Sequence, residues 1–295
     1  MKILITGGSG FVGKNLHESL KKNYDIIAPS SRDLNLLDYE KFEIYVKKEK
    51  PNIIINAAVR GGSTILDSTL RMFATLMRVI DGVEKIIHFG SGAEYAKTRD
   101  LIKVKEIDWD EFIPKDDYGL AKYMLHHIIK NEKKIVNLRL FGVYGKYEDY
   151  RYKFISNSIV KTLFDLPIKI KQDVIFDYLY IDDLIPIVKY FIEHNWKYSS
   201  YNITPTESIS LSSLVKKIIK ISKVKKKMMV ANKKMNYQYT ASNDRLIAEI
   251  PNFKFTSYDQ GLNKLYKYYK SIRNNLDKDA IIRDNYFARS KIKNT

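Results

Sequence analysis

The chain has no cysteine among its 295 residues. That excludes disulfides, thiolate nucleophiles and Cys-based metal sites, and it fits a cytoplasmic location. No uncharged apolar run reaches about 18 residues, so no membrane-spanning helix is expected. The N-terminus enters an apolar strand pattern at once, without a basic segment and cleavage site, so no signal peptide is expected either. There is no internal repeat. His17, His88, His126, His127 and His194 show no metal-like spacing with carboxylates, and no metal is expected. Acidic residues are scarce: 34 Asp and Glu face 51 Lys and Arg, a net charge of +17. Such a balance favours anionic ligands. The lysines, however, lie on nearly every segment and do not gather with Arg and aromatics on one element, so neither a specific nucleic-acid site nor a membrane surface is predicted.

What remains is an ordinary soluble composition, 45% apolar and 29% charged. The first half alternates strand and helix signals. "KILIT" (2–6), "YDIIA" (24–28), "NIIINAA" (52–58), "KIIHFG" (85–90) and "IVNLRLFGVYG" (135–145) are β-rich runs, and helical stretches separate them, notably 118–131. Buried apolar strands alternating with helices predict an α/β fold with a doubly wound parallel sheet. Residues 1–146 form this dinucleotide-binding domain, with 174–197 returning to it. A smaller mixed domain takes 147–173 and 198–271. The polar stretch 272–295 reads as a tail or an oligomer arm. Lysine-dense "KKIIKISKVKKKMM" (216–229) reads as an amphipathic helix with Ile218, Ile221 and Val224 inward.

"LITGGSGFVGKNL" places Gly7, Gly10 and Gly13 directly after the first strand and at the start of a helix. The first glycine permits the tight turn, the second lets a pyrophosphate approach the backbone, and the third allows close helix–sheet packing. The phosphates then sit at the helix N-terminus. The tip of the second strand selects the dinucleotide. An acid there binds the ribose hydroxyl of NAD, whereas an arginine accommodates the phosphate of NADP. "APSSRDLNLLD" offers Ser31 and Arg32, with Asp33 next. NADPH leads, NAD is the alternative, and Asp38 is a candidate for the adenine edge.

"DDYGLAKYM" puts Tyr118 and Lys122 one turn apart on a helix face. A phenol of pKa ~10 is a poor acid–base catalyst, and a lysine cation nearby is expected to bring it towards neutrality. "FGSGAEYA" (89–96) adds a serine, Ser91, at a strand end, where a turn residue and a catalyst look alike.

With these motifs in register, the chain resembles the extended short-chain dehydrogenase/reductases, the nucleotide-sugar epimerases, dehydratases and reductases. The resemblance covers about residues 1–270 and includes "NAA" (56–58), "LRLFGVYG" (138–145) and "DYLYIDDL" (177–184). It implies a triad of Ser91, Tyr118 and Lys122: the serine bonds the sugar oxygen, the tyrosine shuttles its proton, and the lysine holds the nicotinamide ribose. It also implies Phe11, Val12, Ala57, Ala58 and Phe141 along the cofactor. "RDLNLLD", "AAVRGG" and "SNS" are similar to the GDP-fucose synthase subfamily. That subfamily uses NADPH, and Arg32 matches its phosphate-binding arginine, although Ser9 replaces a second one. Arg60, Asn157, Lys169 and Lys171 are candidate anion contacts, with Ala93 and Glu94 beside the sugar.

Dehydratases of the family carry Asp and Glu where this chain has Gly92 and Ala93, and the subfamily's epimerising cysteine and histidine correspond to Ala93 and Ile159. None of these replacements exchanges protons, so dehydration and 3,5-epimerisation are not expected. Glu94 comes one position late and, on an extended segment, would point the other way. Gly142 and Phe176 replace a usual Asn and Arg, and the segment from Gly62 to Lys85 lacks the family's Asn-centred helix. The resemblance thus implies NADPH-dependent reduction of a nucleotide-diphosphate 4-keto-6-deoxy sugar at C4, in surface-polysaccharide sugar synthesis, by a homodimer. An NAD-dependent 4-epimerase needs the same triad and is the alternative. A catalytically silent, basic interaction protein is the third reading.

Overall fold

Isoleucine-rich runs pair side by side in the computed structural model, which describes residues 1–224 and 228–292. From the N-terminus, β1 (Lys2–Thr6), α1 (Phe11–Leu20), β2 (Asp25–Ile27), α2 (Tyr39–Glu49), β3 (Ile53–Asn56), α3 (Ile65–Met77) and β4 (Lys85–Ser91) alternate. Next come β5 (Leu101–Val104), α4 (Asp117–Ile129), β6 (Ile135–Leu140), β7 (Gly142–Tyr144) and α5 (Phe154–Leu163). They are followed by β8 (Ile168–Gln172), β9 (Ile175–Phe176), β10 (Tyr178–Tyr180), α6 (Ile181–Glu193), β11 (Ser200–Ile203), β12 (Ile209–Ser210) and α7 (Leu211–Ser222). The chain closes with β13 (Met228–Asn232), β14 (Tyr239–Ala241), α8 (Asp244–Glu249), α9 (Tyr258–Ser271), α10 (Lys278–Ile282) and α11 (Asn285–Arg289).

Six strands form one sheet in the order β11-β6-β4-β3-β1-β2, all parallel. Successive side chains leave opposite faces. Ile3, Ile5, Ile53 and Ile55 pack with Leu16 and Leu20 of α1 and with Ile187 and Phe191 of α6. Leu4, Ile54 and Ile86 join Phe42, Phe73 and Leu76 on the other face. Each such side chain contributes about 1.5–3 kcal/mol by leaving water. The chain order reverses direction between β1 and β3, the switch point beside which doubly wound sheets bind ligands.

A second lobe sits at the carboxyl end of this sheet. It contains a four-stranded sheet, β12-β9-β14-β5, and a parallel pair, β8 with β13. Three segments change sides relative to the sequence reading, one of them β9, which lies within 174–197 yet pairs with β12 and β14 of the second lobe. "SSYNIT" supplies β11, the sixth strand of the central sheet, because all four strand residues are buried against β6. β5, within the first half, pairs instead with β14 of the second lobe.

Between Gly62 and Lys85 runs α3, a helix without asparagine, as expected, whose Met72, Phe73 and Leu76 enter the core. Two further expectations are corrected. α7 stops at Ser222 with left-handed Lys223, so Ile218 is buried but Val224 lies beyond the helix; Lys225, Lys226 and Lys227 fall outside the described residues. The stretch from 272 is not a free tail as far as Ile292. Leu276, Ala280 and Ile281 are buried in it, Asp284 pairs with Lys161 at 2.6 Å, and Lys171 donates to the Ser290 carbonyl at 2.8 Å. Sparse apolar residues in a polar segment were enough to dock it. Among the described residues no helix is long and apolar enough to cross a membrane.

Candidate active site

The turn after β1 is shaped by what its glycines exclude. Gly7 has φ +70°, and a Cβ there would stand 2.7 Å from the Ala57 carbonyl oxygen. A Cβ on Gly13 would stand 2.2 Å from the Gly7 oxygen, so α1 rests directly on the turn. Gly10 caps α1 without a side-chain acceptor, and no acidic residue occupies the first turn, which leaves its N–H groups for an anion. A cavity of about 610 Å³ opens here, with Gly7, Gly10, Ser31, Ala57 and Ala58 on its wall.

At the tip of β2 the acid is already engaged. Asp33 accepts from the Ser30 hydroxyl at 2.6 Å and from the Ser30 N–H at 3.2 Å, bonds that hold its pKa down. Arg32 next to it is exposed. Asp38 does not line the cavity: it caps α2 through the Lys41 N–H (3.2 Å) and pairs with the Lys41 ammonium (2.9 Å). Leu34 and Leu36 of the same loop take that wall instead.

A second cavity of about 1000 Å³ continues past Gly10, Phe11, Val12 and Ala57 to Phe141 and the triad residues. β4 ends at Ser91, whose hydroxyl accepts from the Ala93 N–H at 3.2 Å. Asp116 caps α4 through the Gly119 N–H at 2.9 Å, setting Tyr118 in the first turn and Lys122 one turn on. Ser91 and Tyr118 share a hydrogen bond. Lys122 is buried and donates to the Phe89 carbonyl at 2.8 Å; burial brings its pKa down to about 8. Tyr118 moves the other way from the sequence expectation. Burial raises its pKa, the nearby Glu94 and Asp116 charges add to the rise, and the Ser91 bond only opposes it. A lysine that is itself driven towards the neutral amine, and tied to a carbonyl, is a weak source of positive field.

Glu94 is also corrected. Residues Gly92–Tyr95 form a 3₁₀ turn, not an extended segment, and the turn carries Glu94 into the interior. There it accepts from Arg139 Nε at 2.6 Å, from Asn137 Nδ2 at 3.2 Å to both oxygens, and from the Ser91 N–H at 3.1 Å. It supports the serine and does not line the cavity. Ala93 is fully buried with it. Asn157 is spent on the Tyr150 carbonyl (3.0 Å), while Lys169 and Lys171 stand over the ring of Phe287. Arg60 is exposed on the loop after β3. None of these four lines the cavity of the triad.

Two residues absent from the sequence reading reach the site. Tyr239 of β14 hydrogen-bonds with Ser91, and its ring packs on Phe141 (4.9 Å between centroids) and Phe176 (4.7 Å). A Cβ on Gly92 would stand 2.6 Å from the Tyr239 hydroxyl, so the glycine makes room for that phenol. Glu148, bonded by the Ser156 hydroxyl, lines both this cavity and the adjoining one, and burial pushes its pKa up to about 7. Two further groups with exchangeable protons thus reach this cavity beside Ser91 and Tyr118. Tyr239 carried no local signal. Glu148 comes three residues after the "VYG" landmark, which is its only sequence signal. No group of three or more potential metal ligands occurs among the described residues.

A family model described as "NAD dependent epimerase/dehydratase family" matches residues 3–204. Among curated proteins, GDP-L-colitose synthase of Yersinia pseudotuberculosis is 25% identical, over 93% of this chain and all of its own. A GDP-L-fucose synthetase from Naegleria fowleri solved with NADP superposes with TM-score 0.80 at 18% identity, covering 92% of this chain and 93% of that one. A UDP-glucuronic acid 4-epimerase from Bacillus cereus, solved with UDP-glucuronic acid and NAD, gives 0.74 at 23%, covering 92% of this chain and 100% of that one. These structures share the fold.

The Glu94 arrangement predicts a specific cost. Glu94→Ala leaves the buried Arg139 guanidinium uncompensated and should lower stability by about 3–5 kcal/mol in urea unfolding, with Glu94→Ala/Arg139→Leu recovering part of the loss. Wild-type stability in the single variant would contradict the assignment.

Proposed function

The chain belongs to the NAD dependent epimerase/dehydratase family, and within it we propose that it reduces the 4-keto group of a nucleotide-activated 4-keto-6-deoxy sugar with NADPH, without dehydrating or epimerising the ring. One observation carries this reading: Ser91, Tyr118 and Lys122 share a cavity with the glycine turn, while Gly92 and Ala93 beside the serine have no proton to exchange. The nicotinamide, when bound, supplies a hydride; the protein supplies position and a proton. The N-terminus of α1 and the turn at Gly7 and Gly10 hold the pyrophosphate. Arg32, with Ser31, faces the extra phosphate, since Asp33 is turned back onto its own loop. Ser91 bonds the ketone oxygen, Tyr118 delivers its proton there, and Lys122 orients the ribose. A phenol whose pKa burial raises is fully protonated at neutral pH, the state a proton donor requires. In this reading the product is a precursor of surface-polysaccharide sugars made in the cytoplasm.

Ser9 in the glycine loop and Asp33 at the strand tip favour NAD, and with it a second reading, a 4-epimerase that retains its cofactor. Consumption of added NADPH separates the two.

We further propose a homodimer through α4, where Met124 (42% exposed) and Ile128 (45%) stand one turn apart, and Phe112 and Ile113 are also exposed in the segment before the helix.

Three outcomes test these proposals. With a panel of GDP- and dTDP-4-keto-6-deoxy sugars, the protein should consume NADPH, and Tyr118→Phe should bind NADPH normally yet lose at least about 100-fold in turnover; full turnover in that variant would remove Tyr118 from the chemistry. Arg32→Ala should weaken NADPH roughly tenfold more than NADH in fluorescence titration, and equal losses would sink the cofactor choice. Met124→Glu/Ile128→Glu should shift the light-scattering mass from two chains to one; an unchanged mass rules out this face.

A further inference from the structure

The catalytic lysine ends a row of buried side chains that the mechanism above does not use. Lys122 Nζ lies 3.4 Å from His88 Nε2. His88 Nδ1 lies 2.9 Å from the amide nitrogen of Asn56, whose oxygen accepts from the Thr6 hydroxyl at 2.7 Å. The row crosses from α4 through β4 and β3 to β1, and each member is at most 5% exposed. Burial, followed by the charges of Lys122 and His126, keeps His88 neutral, and the edge of Phe73 closes its remaining side at 5.3 Å. Glu94 faces Lys122 and favours its ammonium form against burial.

A neutral imidazole has one donor and one acceptor nitrogen. With the Asn56 amide donating to Nδ1, the ring proton must sit on Nε2, and Nε2–H finds an acceptor only if Lys122 is a neutral amine. With an ammonium at Lys122, Nε2 must accept. The ring proton then belongs on Nδ1, and Asn56 must turn its oxygen to it and its amide to Thr6. In both arrangements each ring nitrogen of His88 keeps a partner, and an unpaired buried group would cost about 1–3 kcal/mol. The second arrangement gives up the 3.4 Å bond from the Ala58 N–H to the Asn56 oxygen and turns the Thr6 hydroxyl from donor to acceptor towards Asn56.

We propose that His88 is a positioning residue for Lys122, and that the row Thr6–Asn56–His88 reverses its hydrogen-bond direction whenever Lys122 changes charge. One proton is taken up overall and ends on Lys122 Nζ. The ring loses its proton at Nε2 and gains one at Nδ1, so it stays neutral, and the Asn56 amide turns by half a rotation. A lysine enclosed beside a parallel sheet thereby keeps a partner in both protonation states. The link to turnover rests on the reductase reading; the row itself does not.

Long-range ¹H–¹⁵N correlation of the His88 ring, assigned by its loss in His88→Leu, tests this without substrate. From about pH 6 to about pH 10 the ring should pass from the Nδ1–H to the Nε2–H tautomer as Lys122 titrates. Lys122→Met should hold a single tautomer throughout. One tautomer over the whole range in the wild type, or a switch that survives Lys122→Met, would overturn the proposal. His88→Gln, which can accept from the ammonium but cannot switch, should keep NADPH affinity within about twofold while turnover falls about tenfold and its pH profile shifts. Wild-type turnover and profile in that variant would also overturn it. If the wild-type enzyme turned over no keto sugar, the reductase reading would fall and the tautomer result would still decide the row.

Discussion

The site depends on an ion pair that takes no part in the chemistry. Arg139 and Glu94 are both fully buried and meet at 2.6 Å. Two charges in an apolar interior are costly unless their remaining donors and acceptors are met. Here Asn137 donates to both carboxylate oxygens, the Ser91 N–H takes one of them, and the guanidinium also reaches the Tyr95 hydroxyl at 3.1 Å, although its Nη2 finds no partner among the described residues. This cluster bends the end of β4 into the 3₁₀ turn that presents Ser91 to the cavity. It tolerates no side chain at Gly90, where a Cβ would stand 2.1 Å from the Asn137 oxygen. Its field also reaches the neighbours, since the Glu94 charge favours the neutral phenol of Tyr118 and the charged form of Lys122. The pair thus shapes the serine and biases both titratable members of the triad.

The second lobe completes what the parallel sheet begins. β14 brings Tyr239 over Ser91, and its ring is clamped between Phe141 of the first lobe and Phe176 of the second. The missing side chain at Gly92 has two consequences at once. It removes the acid that dehydratases of the family carry there, and it leaves the space that the Tyr239 hydroxyl fills. Absence of one proton donor and arrival of another phenol are one packing event.

How much of this was legible in the sequence follows from range. The glycine turn, the parallel strands and the Tyr118–Lys122 pair are local patterns, in which the spacing itself creates the geometry. Glu94 looks outward-facing only if β4 is taken to run on through residues that turn, and Asp38 looks like a ligand contact because a capping acid and a ligand-binding acid look alike in a string. The docking of 272–292 leaves no signature because a few buried apolar residues do not make a periodic pattern. Tyr239 and Glu148 were invisible for a different reason. Their roles are set by which strand of the second lobe meets Ser91 and by how α5 closes over the loop after β7, and no spacing along the chain encodes either.

The net charge of +17 turns out to say little about the site. Of the lysines on the cavity wall, Lys122 has its pKa brought down by burial and is tied to a carbonyl and an imidazole, and Lys153 stands at the exposed rim. Glu148 on the same wall is itself driven towards the neutral acid. In the proposed reading, anion binding at the glycine turn is therefore built from backbone N–H groups and the dipole of α1, whose contribution is fixed by the fold and does not titrate. Side-chain charge enters, in that same reading, at the tip of β2, where Ser30 has already satisfied Asp33 and Arg32 is left exposed. The proposed discrimination between the two dinucleotides thus reduces to a hydroxyl's grip on a carboxylate.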